Sequence, residues 1–165
     1  MNDSYDIIIV GAGPAGSTAA KAAVDKGAEV LMLDKRNELG VPVQCGEALS
    51  EYVLDDLGIE PDPAWAINRI DAARLVSTSG KEVEIEQRAV GKVGYILDRK
   101  VFDKDLALRA VRSGSDIKVG TFVNGLVKED GNIKGVKYDS YDGSGEAYAD
   151  VVIAADGVMS KVAKW

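Results

Sequence analysis

The 165-residue sequence contains no histidine and only one cysteine, Cys45. Without histidine, the chain cannot form a Ser-His or Cys-His catalytic pair or a histidine-ligated metal site. One cysteine excludes an internal disulfide and any metal cluster held by several thiolates. The sequence therefore predicts no metal site, and it leaves two interpretations of Cys45: a small buried apolar residue, or a group that faces a reaction.

Long apolar segments and a surplus of positive charge are missing as well. The apolar stretch IIIVGAGPAG is too short to span a membrane and lacks the basic residues that begin a signal peptide. The 20 basic and 27 acidic residues give a net charge of −7, whereas nucleic-acid binding needs a basic surface. We therefore predict a cytoplasmic protein with no nucleic-acid partner.

The beginning of the chain has the pattern of a strand, a helix and a second strand. Residues 6–10 and 29–33 are mostly apolar, which is typical of strands buried in a parallel sheet. Residues 14–27 predict a helix, with Pro14 at its first position and Gly27 just after its end. These features predict an α/β, Rossmann-like fold with a parallel central sheet and one real core.

The remaining sequence departs from a simple alternation of strands and helices. Alternating residues around a Ser-Gly bend predict a β-hairpin. Asp98 is the predicted N-cap of an amphipathic helix, whose apolar side carries Val101, Phe102, Leu106, Ala107 and Ala110. In chain order we expect a loop at 34–47, a short helix at about 48–57, a linker at 58–65, the hairpin at 74–87, the amphipathic helix at 99–113, two or three antiparallel strands, and a buried strand at 151–154.

The segment GAGPAG, residues 11–16, is a G-x-G-x-x-G motif between the first predicted strand and helix. Gly11 permits a tight turn, Gly13 lets the backbone approach a pyrophosphate, and Gly16 lets the helix pack on the strand. The amides of the first helical turn, around Pro14 and Ala15, then point at the phosphates. A glycine-rich turn without a ligand is the alternative interpretation.

Asp34 ends the second predicted strand, at the position where an acid accepts hydrogen bonds from ribose hydroxyls. Its carboxylate would repel a 2′-phosphate, which favours FAD or NAD over NADP. Lys35 and Arg36 are either solvated cations or contacts of the adenosine or pyrophosphate.

Two further positions are candidates for cofactor binding. Arg99 begins a helix, where its charge opposes the helix dipole. Either a nearby anion explains this position, or Arg99 is an ordinary surface arginine. Asp156 and Gly157 end the last predicted strand, before a predicted helix start. There Asp156 either accepts hydrogen bonds from a polyol chain such as a ribityl group, or caps a helix.

Taken in order, GAGPAG, LDKR, LDRKVFDKDL and ADGVMSKV resemble the FAD-dependent oxidoreductases of the p-hydroxybenzoate hydroxylase type. Within that group, PVQCGEALS is similar to the cysteine loop of the geranylgeranyl reductases, most closely the archaeal digeranylgeranylglycerophospholipid reductases. Ala48 stands where those reductases normally have glycine. The resemblance implies FAD as cofactor and reduction of isoprenoid double bonds in a membrane lipid precursor.

The same resemblance places the loop formed by Cys45, Gly46, Glu47 and Ala48 beside the flavin ring, where Cys45 could donate a proton. No cationic residue stands next to it in the sequence, which favours a thiol donor over a thiolate nucleophile. Glu47 either tunes that site or begins the following helix. The resemblance also implies that about 60–95 belongs to an inserted, substrate-side β segment.

Two other functions remain open: a flavin monooxygenase acting on an aromatic or quinone-like ring, and a non-catalytic module that senses redox state. The electron donor is equally open between ferredoxin, a reduced nicotinamide and an F420-type donor. We expect the chain to be the N-terminal part of a longer protein, inactive in isolation, with its substrate region downstream. An isoprenoid substrate implies peripheral contact with the inner face of the membrane.

Overall fold

The computed structural model describes residues 4–86, 91–92 and 94–165. The chain divides into two compact units, one formed by Met1–Val41 with Asp103–Trp165 and the other by Pro42–Phe102. In chain order the elements are β1 Ser4–Val10, α1 Pro14–Val24, β2 Val30–Leu33, β3 Ala48–Ser50, α2 Glu51–Asp56, β4 Ala66–Ile70, β5 Ala72–Val76, β6 Glu82–Glu86, β7 Gly94–Leu97, α3 Arg99–Ser113, β8 Asp116–Lys118, β9 Thr121–Glu129, β10 Asn132–Ser140, β11 Gly143–Ala154 and a 3₁₀ turn at Val162–Lys164.

The first unit is built on a six-stranded sheet in the order β8-β2-β1-β11-β10-β9. Its centre is parallel, because β1 pairs in parallel with both β2 and β11, and β2 with β8. Ile8 and Ile9 on β1 are fully buried and belong to two different core clusters, so the strand is covered on both faces. The predicted Rossmann-like fold with a parallel central sheet is confirmed.

The predicted helices α1 and α3 both form, and α1 ends earlier than predicted. α1 begins at Pro14 as predicted but stops at Val24, and a turn runs on to Gly27, which has a φ of +90°. α3 occupies the predicted residues, and the Asp98 carboxylate accepts the Val101 amide as its N-cap. On the predicted apolar side, Phe102, Leu106, Ala107 and Ala110 are buried and Val101 is half-buried.

The last strand differs from the prediction in both length and burial. Val151 to Ala154 is the end of the twelve-residue strand β11, and Val151 is 50% exposed. β11 pairs with β10 only up to Tyr148, and from Ala149 onward its backbone pairs with β1 alone. The expectation of a separate buried strand was therefore wrong, because one continuous strand leaves the antiparallel part of the sheet and enters the parallel part.

The second unit contains a three-stranded antiparallel sheet, β3-β7-β4, and the hairpin β5–β6. Trp65 is 1% exposed and its ring lies 4.8 Å from that of Phe102, which gives this unit an aromatic core. The predicted hairpin forms, although Gln87, its last predicted residue, lies outside the described residues.

The short helix was predicted too long at its beginning. Residues 48–50 form β3, which pairs with β7, and α2 starts only at Glu51, where the Ser50 hydroxyl accepts the Tyr52 amide as a cap. Strands β3, β4 and β7 were not predicted. Each is three to five residues long and is stabilised by pairing with a strand distant in sequence.

Candidate functional site

The three parallel strands β2, β1 and β11 end side by side, and the predicted nucleotide-binding residues follow them directly. The Gly11 amide donates to the Leu33 carbonyl at 2.8 Å, and the Ala155 amide donates to the Val10 carbonyl at 2.8 Å. The structure therefore brings the glycine loop, Asp34 and Asp156 to one edge of the sheet, where open α/β folds bind ligands.

The three motif glycines have different surroundings. Gly11 has a φ of +101°, and a Cβ built on it would lie 2.3 Å from the Ala155 oxygen. A Cβ on Gly16 would lie 1.8 Å from the Gly11 oxygen, whereas a Cβ on Gly13 meets no atom within 4 Å. Thus Gly11 and Gly16 are required by the backbone itself, while Gly13 borders open space.

The first turn of α1 adds donors beside that open space. Gly13 is the N-cap and provides no side-chain acceptor, Pro14 follows it, and no acidic residue lies in the first turn. The amides there are left for an external acceptor, and the positive end of the helix dipole favours an anion. The loop therefore fits a pyrophosphate.

Asp34 is 6% exposed and is held by two backbone amides. Its Oδ2 accepts the Ala12 amide and its Oδ1 accepts the Arg36 amide, both at 2.8 Å. Each carboxylate oxygen can accept more than one hydrogen bond, so this arrangement still allows a ribose hydroxyl to bind. Lys35 is exposed and Arg36 is half-buried.

The two carboxylate oxygens of Asp156 have different surroundings. Oδ2 accepts the amides of Lys161 at 2.7 Å and Val162 at 3.3 Å, so it caps the 3₁₀ turn rather than the helix that the sequence predicts. Oδ1 is buried and has no hydrogen-bond partner among the described residues. A buried acceptor of this kind is costly unless a donor reaches it, which suits the hydroxyl of a bound polyol. Gly157, with a φ of +88°, borders open space.

The charge on Asp156 is favoured by its surroundings. Burial raises the pKa of this carboxyl, but the Ser160 hydroxyl and the Lys161 and Val162 amides together lower it by more. The pKa therefore lies below its ordinary value of 3.8, and the group is an anionic acceptor at neutral pH.

The cysteine loop and Arg99 belong to the second unit. Cys45 is exposed, so its interpretation as a buried apolar residue is wrong for this chain. The Glu47 amide donates to Cys45 Sγ at 3.4 Å, and Glu47 Oε1 accepts the Arg99 amide at 3.4 Å. The structure thus places an anion, the Glu47 carboxylate, at the helix start where Arg99 lies. Gly46 borders open space, and Ala48 is an exposed residue of β3.

Two contributors to the nucleotide-binding edge were missed in the sequence. Ala12 links the glycine loop to Asp34 through its amide, and its carbonyl accepts the hydroxyl of Ser17, which is fully buried. A serine in the first turn of an otherwise alanine-rich helix was the available signal.

Among the described residues, no group of three or more His, Cys, Asp or Glu side chains could hold a metal ion, and no helix is long and apolar enough to cross a membrane.

Comparison with known proteins identifies the cofactor of the domain. Residues 4–165 match the model of the FAD binding domain. The chain belongs to the family of FAD-binding domains. The open space at Gly13, the uncapped start of α1 and the unpartnered Asp156 oxygen fit FAD as the cofactor.

Curated relatives and a solved structure are similar over essentially the whole chain. It is 43% identical to a digeranylgeranylglycerophospholipid reductase of Methanocella arvoryzae, covering 100% of this chain and 42% of the relative. Digeranylgeranylglycerophospholipid reductase 1 of Methanothermobacter thermautotrophicus is 45% identical, with the same coverage of 100% and 42%. A crystal structure of a geranylgeranyl bacteriochlorophyll reductase-like protein from Thermoplasma acidophilum superposes with a TM-score of 0.92 at 39% identity, over 98% of this chain and 41% of that one. The chain thus spans about two fifths of the length of these relatives.

Proposed function

We propose that the whole protein is an FAD-dependent reductase that saturates isoprenoid double bonds of an archaeal-type membrane lipid precursor. The observation that carries the proposal is the similarity to named lipid reductases over the whole chain, at 43% and 45% identity. The region of similarity includes the loop around Cys45, which lies outside the nucleotide-binding motifs.

The first unit binds the adenosine and pyrophosphate part of FAD in this proposal. Amides of the glycine loop contact the pyrophosphate, Asp34 accepts a ribose hydroxyl, and Lys35 and Arg36 lie beside the adenosine end. Asp156 accepts a hydroxyl of the ribityl chain through Oδ1, with Gly157 leaving room for it. The geometry of the glycines and of both aspartates supports these roles.

The reaction adds a hydride and a proton to a carbon–carbon double bond. FAD in its reduced form supplies the hydride when bound. Cys45 donates its thiol proton to the other alkene carbon, and solvent returns a proton to the sulfur afterwards. The exposure of the thiol supports this role. We further propose that Gly46, Glu47, Ala48 and Arg99 contact the cofactor, and that the substrate-side segment lies at about 60–95.

The test uses the full-length protein with FAD, reduced and kept without oxygen. Adding a geranylgeranyl lipid should reoxidise the flavin, followed by its absorbance, and yield a saturated product by mass spectrometry. Cys45→Ser should slow this reoxidation by about 100-fold while FAD stays bound.

Three outcomes contradict parts of the proposal. No reoxidation by lipid, but rapid reoxidation with oxygen and an aromatic acceptor that becomes hydroxylated, would indicate the monooxygenase. Tight FAD binding with no turnover of any acceptor would indicate a redox-sensing module. Unchanged turnover in Cys45→Ser would remove the proton-donor role alone.

Supplying reduced ferredoxin, a nicotinamide or an F420-type donor in turn identifies the electron source. Sedimentation with lipid vesicles tests the peripheral membrane contact.

A further inference from the structure

Glu47 has a backbone conformation that is unusual for a non-glycine residue outside a tight turn. Its φ is +62°, in the left-handed region, and among the described residues Asp130 is the other non-glycine residue with a positive φ. Asp130 lies with Gly131 in the tight turn between β9 and β10, where positive φ values are normal. Glu47 is the residue of the cysteine loop that precedes β3, outside any hairpin turn, so other contacts must hold its conformation.

Three polar groups of Glu47 are engaged at once. Its carbonyl accepts the Leu97 amide at 2.8 Å, and its Oε1 accepts the Arg99 amide at 3.4 Å. Leu97 ends β7 and Arg99 begins α3, so both contacts fix Glu47 to regular structure of its own unit. The remaining group, the Glu47 amide, points at Cys45 Sγ, 3.4 Å away.

We propose that Glu47 is the positioning residue for Cys45. Its carboxylate and carbonyl hold residue 47 in the left-handed conformation, and that conformation aims its N–H at the sulfur. The inference rests on the proposed function, in which Cys45 gives its proton to an alkene carbon. When that proton leaves, the S–H bond breaks, a C–H bond forms, and a negative charge stays on Sγ. The Glu47 amide stabilises this charge. Reduced FAD, if bound there, would supply the hydride to the other carbon and would itself be oxidised.

Three variants of the full-length holoenzyme separate the contacts. Glu47→Ala removes the carboxylate oxygens, Glu47→Gln keeps an acceptor for the Arg99 amide, and Glu47→Gly removes the side chain but adopts a positive φ easily. Glu129→Gln, an exposed carboxylate at the end of β9, is the matched control. Two quantities are measured: the rate at which iodoacetamide alkylates Cys45 between pH 6 and about 10, followed on the Cys45 peptide by mass spectrometry, and kcat and KM for lipid reduction.

In Glu47→Ala we expect Cys45 alkylation near neutral pH to slow by about three- to tenfold. Glu47→Gly keeps the backbone N–H and adopts the positive φ easily, so its alkylation should slow by a smaller factor. The kcat should fall by a similar factor with KM unchanged, and Glu47→Gln should restore both. Alkylation profiles equal to the wild type in Glu47→Ala and Glu47→Gly would overturn the inference. A Glu47→Gln variant as slow as Glu47→Ala would overturn it too.

The two proposals fail in different ways. If the wild-type protein reduces no lipid but Glu47→Ala still slows alkylation, the proposed reaction is wrong and the positioning of Cys45 stands. If lipid is reduced and both measured quantities are unaffected by the substitutions, only the positioning role is wrong. If Glu47→Ala does not fold, Glu47→Gly decides the result, because glycine removes the conformational penalty at this position.

Discussion

At the residue scale, two glycines of one loop have opposite surroundings. A Cβ on Gly16 would overlap the Gly11 carbonyl, whereas a Cβ on Gly13 would stand in open space at an ordinary φ of −73°. The motif spacing in the sequence predicts that both glycines matter. It does not say which one is needed by the fold and which one by the ligand, because that depends on how the loop folds back: the Gly11 carbonyl lies over Gly16, whereas no atom lies over Gly13.

This difference predicts that a substitution at Gly13 weakens FAD binding, whereas one at Gly16 lowers the stability of the fold. Gly13→Ala should fold with unchanged thermal stability of the FAD-free protein. It should bind FAD at least tenfold more weakly, about 1.4 kcal/mol, because the methyl group would occupy the space proposed for the pyrophosphate. Gly16→Ala should lower the free energy of unfolding by about 3 kcal/mol or more. Calorimetry of the FAD-free protein and fluorescence titration with FAD measure the two effects. Equal FAD affinity in Gly13→Ala and wild type would contradict the assignment.

Asp156 gives the second residue-scale prediction, which concerns pH. Its folded pKa lies below its ordinary value of 3.8, so its contribution to stability is complete above that pH and is lost as the pH falls through the folded value. Asp156→Asn should therefore lower Tm slightly at pH 6, by less than about 3 °C, and the difference should not grow as the pH falls. Thermal melts from pH 6 down to about 3 test this. A difference that grows on acidification would contradict the sign.

At the scale of elements, the sequence predicted those whose signals are local. The strands β1 and β2, the helices α1 and α3 and the hairpin β5–β6 each carry their own periodicity, caps or turn residues. By contrast, β7 is a four-residue strand that exists because β3 and β4 pair with its two edges, and those partners lie more than 20 residues away in the chain. The continuity of β11 was missed for a related reason, because the change of partner occurs inside one strand.

The hairpin β5–β6 has one apolar and one charged face. Leu75 pairs with Val83, and both are 60% exposed, while Arg74 pairs with Glu84 on the opposite face. If this segment is substrate-side, the double variant Leu75→Thr, Val83→Thr should raise KM for the lipid several-fold and leave FAD content unchanged. Because both side chains are exposed in this chain, stability should change by less than about 1 kcal/mol.

The charged face of the same hairpin offers the control. Arg74→Gln combined with Glu84→Gln keeps the strand pairing and alters the other side, so KM should stay within twofold of wild type. Steady-state kinetics on both double variants compares the two faces. An equal rise of KM in both, or in neither, would contradict a substrate-side apolar face.

At the scale of the whole molecule, FAD should act as a structural ligand of the folded protein. A ligand present at 100 times its dissociation constant stabilises the folded state by about 2.7 kcal/mol, so FAD should raise Tm of the full-length protein by several degrees. NADP⁺ should raise it by less than about 1 °C, because the Asp34 carboxylate would repel a 2′-phosphate if it binds the ribose as proposed. Thermal shift measurements with FAD, NAD⁺ and NADP⁺ at equal concentration test this. A larger shift with NADP⁺ than with FAD would contradict the role of Asp34.

Asp34 accepts two backbone amides, and the one from Ala12 bears on how the cofactor binds. Because the Ala12 amide already donates to Asp34 Oδ2, the glycine loop and the end of β2 are fixed to each other by the protein alone. We therefore expect this contact to pre-organise the loop, so that little conformational entropy is lost when FAD binds. We then expect FAD, a flexible ligand, to bind to a loop that stays rigid. Any segment that becomes ordered on binding should lie elsewhere in the protein.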